Sequence, residues 1–410
     1  MTAKLYIRDR KRRVALCAVA LLGATHHVAA QTPTPASTPP IEFDGRGVTI
    51  ATSDGKARLN LRFRVQELLS ATTQGETDYG IKRTQFTVRR MRLRLEGTFF
   101  DPRLKVNVQL AFSRADIDVE ALGVANVLRD AYVSWQFTPN LVGVVGQTKL
   151  PGNRQLLVSS AELQHPDRSP LHATFTVDRD VGVFGTYARN VGRARFMLRG
   201  AITSGEGRNA NNGDGGLAYT GRAELLPFGA FANNGDYSEG DLAREPSLKL
   251  SVAAGISRND RAVRTGGQLG SLLYAARGMT THFADIMLKR QGLMVMAEYA
   301  HRLSSDPVTR SGTSVRYVFA GEGVNAQASW LLPNSKWEPQ LRFTAVTPAM
   351  AIRAESGAEA LAEYSVGVAR YINAHRIKVN GEMMHTRYDD LFHLRKRGEW
   401  TLRTGIEVGI

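Results

Sequence analysis

The sequence predicts an all-β chain closed into a 16-stranded antiparallel transmembrane β-barrel, and three observations carry that prediction. Residues 83–100, RTQFTVRRMRLRLEGTFF, place Met91, Leu93, Leu95, Gly97 and Phe99 on one parity and Arg90, Arg92, Arg94, Glu96 and Thr98 on the other. A period of two belongs to a pleated strand, whose successive side chains point to opposite faces. Segments of this length and pattern recur until sixteen can be marked. Between them, brief turns and long polar connections take turns, as a barrel with one short-turn rim and one long-loop rim requires.

The chain begins with a leader. Lys11, Arg12 and Arg13 precede an apolar run at 14–24, and Val28, Ala29 and Ala30 precede Gln31. A basic stretch, a short apolar stretch and a small-residue cleavage site read as a signal peptide over residues 1–30, removed on export. The apolar run is too short to cross a ~30 Å hydrocarbon layer as a helix. The single cysteine, Cys17, lies inside it, so the exported chain carries no thiol or disulfide chemistry. Residues 31–56 are a Pro-rich segment, QTPTPASTPP, and a lead-in; the barrel is expected over 57–410.

The formal net charge is +15, of which the leader holds +5, and 42 of the 53 cationic side chains are arginine. A guanidinium is always charged and offers a planar fork to oxyanions. Nucleic acid is the usual partner of so basic a chain; an exported chain argues against it. No apolar span of twenty residues appears, which excludes a multi-helix membrane protein.

In order, the alternating segments start with residues 57–69, where Leu59, Leu61, Phe63 and Val65 oppose Arg58, Asn60, Arg62 and Arg64. Residues 104–112 follow the turn at Asp101-Pro102, then 128–137 and 141–147 around Thr138-Pro139-Asn140. Later segments fall near 181–187, 193–201, 218–226, 247–256, 280–288, 293–301, 314–331, 339–347, 361–371, 376–385 and 399–410. One connection breaks the rhythm: residues 227–246 are long yet belong to the short-turn rim. Lipid cannot satisfy an open sheet edge, so such a sheet closes, and sixteen strands leave an aqueous lumen. The polar face then lines a hole. A soluble all-β sandwich is the alternative reading of the same alternation.

Several runs come in a telling order: RRMRLRLEGTF (89–99), LRDAYVSW (128–135), GQTKLP (146–151), HPDRSP (165–170), DRDVGV (178–183) and GRAELLPFG (221–229). The ending, EYSVGVARYINAHRIKVNGEMMHTRYDD (363–390) and WTLRTGIEVGI (400–410), completes the set. Together they resemble the phosphate-selective porin O and P family over almost the whole exported chain. The chain has Asp167 where the family tends to have Glu, has few lysines for the family's lysine-rich mouth, and ends in Ile410 where an aromatic residue is common.

The resemblance implies an outer-membrane porin of a Gram-negative bacterium, a homotrimer in contact with outer-membrane lipid and lipopolysaccharide. It also implies passage of small anions, among them phosphate, polyphosphate and chloride, and an inward-folded third loop at about 149–178. Lumen candidates by parity are Arg58, Arg62 and Arg64, then Arg90, Arg92 and Arg94, with Arg195, Arg199 and Arg222 later. In the inward loop the candidates are Lys149, Arg154, Arg168 and Arg179. The alternative for each is a solvated or paired arginine, but Glu96 and Glu67 cannot balance six arginines on one face of two strands.

No G-x-S-x-G, H-E-x-x-H or G-x-x-x-x-G-K-[ST] motif occurs, and the histidines are dispersed. No enzyme activity, cofactor or metal is therefore expected; a general or neutral-solute porin is the second reading and a barrel-embedded lipase a distant third. Residues 205–216, GEGRNANNGDGG, lack the spaced carboxylates of a calcium loop and read as a disordered external loop.

Overall fold

The computed structural model describes residues 41–43, 47–119, 125–210, 216–356 and 358–410. The expected leader and the QTPTPASTPP segment lie outside the described residues. Sixteen antiparallel strands form a closed barrel. They are β1 (Ala57–Thr73), β2 (Ile81–Phe99), β3 (Asp101–Ala111), β4 (Leu128–Thr138), β5 (Leu141–Lys149), β6 (Arg179–Val191), β7 (Ala194–Thr203) and β8 (Ala218–Leu226). They continue as β9 (Lys249–Arg264), β10 (Leu272–Arg290), β11 (Leu293–Leu303), β12 (Gly321–Trp330), β13 (Trp337–Pro348), β14 (Ala360–Asn373), β15 (Ile377–Asp390) and β16 (Arg395–Gly409).

Each strand pairs with the next, and β16 closes on β1 from Thr401 opposite Thr72 to Gly409 opposite Arg64. Below that point a lead-in strand, Val48–Ala51, takes over the edge of β1, from Leu61 to Arg58. Among the described residues every strand of the wall has a neighbour on both sides, which is what lipid demands.

The alternation sets the two faces. Along β10, Thr281, Phe283, Asp285, Met287 and Lys289 are buried inward, while His282, Ala284 and Ile286 are exposed outward. The 314–331 segment expected as one strand is two: Ser314–Tyr317 folds back on Val308–Ser311 above the wall, and β12 starts only at Gly321. The barrel strands are also longer at the long-loop rim than the alternation suggests, with β10 beginning at Leu272.

Register shifts interrupt the parity at several places in the wall, and two of these β-bulges bear on the inward charges. On β2, Gln66 faces Arg90 and Glu67 faces Val88, so Arg89 is an extra residue. On β4, Gln109 faces Asp130 and Leu110 faces Leu128, so Arg129 is extra. A bulge re-aims side chains and kinks its strand, and here each one turns two consecutive charged residues inward.

The lumen is not simply a wet hole. Residues 150–178, between β5 and β6, lie inside it and include two short helices, α1 (Arg154–Leu157) and α2 (Pro170–Phe175). Leu150, Leu156, Leu171, Phe175 and Val177 of this insert pack on Phe184, Ala201, Phe283, Ala300 and Val346 of the wall. Part of the inward face is therefore a dry core. Parity tells which side a residue faces, and not what covers it.

Candidate pore constriction

The insert is seated by buried polar contacts on one half of the wall. Arg154, fully buried, donates from Nε to Asp285 Oδ1 at 2.7 Å and from Nη2 to Glu224 Oε1 at 2.8 Å and Ser251 Oγ at 2.6 Å. Arg222 donates from Nη1 to the other Asp285 oxygen at 2.6 Å and to Gly152 O at 3.1 Å. Glu298 Oε1 accepts from Asn153 Nδ2 at 3.2 Å and from Gln155 N at 2.8 Å.

Farther along the insert, His165 Nδ1 lies 2.8 Å from Glu382 Oε2. Burial and then Arg342 hold this imidazole below its ordinary pKa, so it donates to the carboxylate as a neutral ring. Arg302 donates to the carbonyls of Thr174 at 3.0 Å and Phe175 at 2.8 Å, closing the end of α2.

Opposite lies the wall from β1 to β6, where cations outnumber carboxylates. A cavity of about 600 Å³ opens between this wall and the insert. Nine arginine and lysine residues border it against four carboxylates, Asp130, Glu162, Asp178 and Glu407. Arg62 stands directly across from Arg94, and Arg64 from Arg92. Like charges opposite each other destabilise a sheet, so this arrangement works against folding.

The partners of these cations are few. Arg64 pairs with Glu407 at 3.0 Å and Arg94 with Glu96 at 2.8 Å. Arg92 forks onto Asp116, and both it and Arg64 donate to Ser160 Oγ, at 2.8 and 2.7 Å. Arg129 also reaches Asp116 Oδ1, at 2.9 Å. Arg179 forks onto Asp130 at 2.9 and 3.1 Å.

Lys149 Nζ meets only the carbonyls of Leu157 and Val158, at 3.3 and 3.4 Å. Arg168 meets only those of Gln155 and Val158, at 2.7 and 2.9 Å. Among the described residues neither forms an ion pair with a carboxylate. Burial, then Arg90 and Arg92, bring Arg168 down to about 9; it stays charged at neutral pH in surroundings short of negative charge.

The sequence candidates therefore separate. Arg62, Arg64, Arg92, Arg94, Lys149, Arg168 and Arg179 border the cavity. Arg58 is exposed and lies nearer the short-turn rim, in a cleft with Lys105 and Glu96. Arg154, Arg222 and Arg90 do not occupy the lining positions expected of them. The first two are buried against Asp285, and Arg90 is buried against Gln66 Oε1 at 2.5 Å and Asp167 Oδ1 at 2.6 Å.

Arg89, brought inward by its bulge, takes the second oxygen of Asp167 at 2.7 Å. Burial opposes the Asp167 charge, but Arg90 and Arg89 outweigh it and hold the carboxyl well below the usual range. Parity placed Arg89 outward and did not single out Arg129, so both were missed; Arg376 and Ser160 gave no signal. Residues 205–209, read as disordered, are held in place: Gly205 N donates to Asp180 Oδ2 at 2.7 Å, and Arg208 is buried near Asp178.

The family model for phosphate-selective porin O and P matches residues 60–273, just over half of the chain. The chain belongs to the phosphate-selective porin O and P family. Solved structures of the same fold include the outer membrane channel DcaP of Acinetobacter baumannii (TM-score 0.53, 12% identity, 88% of this chain and 99% of that one). The anion-selective porin from Comamonas acidovorans is similar to the same degree (TM-score 0.51, 12% identity, 86% and 100%). A loop-deleted OmpT of Vibrio cholerae also aligns (TM-score 0.53, 9% identity, 86% and 99%). No curated protein sequence matches the chain. This porin is an outer-membrane channel.

Proposed function

We propose that this porin is a water-filled diffusion channel preferring anions, with no catalysis and no cofactor, and that Arg62, Arg64, Arg92, Arg94, Lys149, Arg168 and Arg179 meet the ions. The observation that carries the reading is the excess of cations around the cavity where the insert narrows the bore. One sign of charge in a cleft with low-dielectric walls raises the local counter-ion concentration, and rings of Arg or Lys select anions for the same reason. The Arg62–Arg94 and Arg64–Arg92 juxtapositions support it, because like charges set directly opposite each other concentrate positive potential on this wall at a cost to the sheet.

On this reading small anions such as phosphate, polyphosphate and chloride pass between the long-loop and short-turn rims, which are the extracellular and periplasmic ones. The family resemblance supports a homotrimer among lipid and lipopolysaccharide, reached after cleavage of the leader. A neutral-solute porin on the same barrel would have no use for the charge excess.

The test is single-channel recording in chloride with phosphate titrated in. The reading expects phosphate to reduce the chloride current by occupying the cavity. Chloride current indifferent to phosphate would remove phosphate from the substrates, and potassium-dominated current would remove the anion preference itself.

A further inference from the structure

The long connection at the wrong rim has a role that its length alone does not reveal. Neighbouring turns at that rim use two residues, 139–140, 192–193 and 291–292, whereas residues 227–248 join β8 to β9. The extra chain does not hang outside. Asp236, Glu239, Asp241 and Glu245 are all buried, around a 3-10 turn at Ala232–Tyr237.

This segment meets the β5–β6 insert head on. Glu239 accepts from Gln155 Nε2 at 3.3 Å and from Gln164 N at 3.0 Å, while its own N–H donates to Glu162 O at 2.9 Å. Asp236 O accepts from Arg154 Nη1 at 2.7 Å, and Tyr237 Oη donates to Glu224 at 2.5 Å. On the wall side Lys289 Nζ donates to Ser238 O at 2.8 Å. Gly240 has φ +69°, and a Cβ there would stand 2.8 Å from Glu338 Oε1, so the seat leaves no slack.

We infer that residues 227–248 are a second constriction element: from the short-turn side they seal the half of the bore behind the insert and force ions through the cationic cavity. In the sealed half carboxylates stand among the inward arginines, as in Arg222–Asp285 at 2.6 Å and Arg342–Glu382 at 3.4 Å. Opened, that half would conduct both signs of ion and dilute any preference. The sign of the selectivity effect rests on the proposed anion reading; the size of the channel does not.

In the full-length porin, residues 228–247 are replaced by Asn-Gly, the dipeptide that suits a two-residue hairpin turn. Single-channel conductance in potassium chloride should rise roughly twofold or more as lumen is freed, and the chloride-to-potassium permeability ratio should fall toward unity. A folded variant, judged by heat-modifiable migration, with unchanged conductance overturns the inference. Should that variant not fold, Gly240→Val lifts the segment by contact and backbone strain while keeping every charge. It should give a smaller rise, and unchanged conductance again overturns the inference. A wild-type channel without anion preference whose conductance still rises in the variant keeps this element and removes the anion reading. An anion-selective wild type with both variants unchanged does the reverse.

Discussion

Arg154 and Arg168 sit on one insert, fourteen residues apart, and live opposite lives. Arg154 is locked between Asp285 and Glu224; burial opposes its charge, but these two carboxylates outweigh burial and push it above its ordinary pKa. Arg168 has carbonyls alone, and burial with neighbouring Arg90 and Arg92 pulls it below. The contrast holds for the two halves of the bore. From β8 to β15 each buried arginine named above is answered by a carboxylate or by a helix end, and cements the insert. From β1 to β6 cations exceed their partners, and the excess faces the cavity. The same residue type is mortar where charge is balanced and a lining where it is not.

The largest effect should come from breaking the balanced half. Arg154→Met leaves Glu224 and Asp285 short of a buried partner, a loss of about 3–5 kcal/mol for a broken buried pair. The expected result is a lower unfolding midpoint in denaturant and noisier, larger channels as the insert loosens. A midpoint equal to wild type would show that the pair does not hold the insert.

Next, Arg92→Ala with Arg94→Ala strikes the unbalanced half. Anion preference should fall by roughly tenfold at low salt, where one-signed clefts concentrate counter-ions most. The difference should shrink at 1 M salt, where the screening length is about 3 Å. Heat-modifiable migration should persist: the fork from Arg92 to Asp116 is lost, but Arg129 still reaches that carboxylate and the repulsion of Arg62 and Arg64 across the strand is relieved.

A smaller, pH-dependent effect belongs to the seated half again. His165 and His172 are held below their ordinary value, by burial and then by Arg342 and Arg168 respectively. The unfolded chain therefore takes up protons first, near pH 6.5. Stability is complete above that pH and declines as pH falls below it, by at most about 1.4 kcal/mol per unit for each histidine. Thermal unfolding followed from pH 7.5 to pH 5 should show the decline, and the double variant His165→Gln with His172→Gln should reduce it, leaving the part due to His375, which burial and then Lys378 also hold below its ordinary value. Smallest of all, Arg58→Ala at the exposed rim should change stability by less than about 0.5 kcal/mol, with a conductance change within the scatter of single-channel events.

The architecture was legible because period two survives over long stretches of the strands: Leu59 to Val65 and Met91 to Phe99 state the outward face without help from context. Rim assignment was legible too, from turn length. The site was legible only where parity held. At Arg89 and Arg129 a bulge adds one residue, and nothing in a single sequence marks a bulge among arginines. Arg154 and Arg222 were assigned to the lumen because an inward arginine reads the same whether a carboxylate waits across the bore or not. Asp285, 131 residues from Arg154 in the chain, supplies that answer only once the barrel is closed.

The most direct measurement is the zero-current potential of the reconstituted wild-type channel across a tenfold potassium chloride gradient at low ionic strength. A cationic passage predicts a potential of the sign set by chloride, collapsing toward zero in Arg92→Ala with Arg94→Ala. A potential of the sign set by potassium, or one indifferent to the loss of those two arginines, would contradict the account.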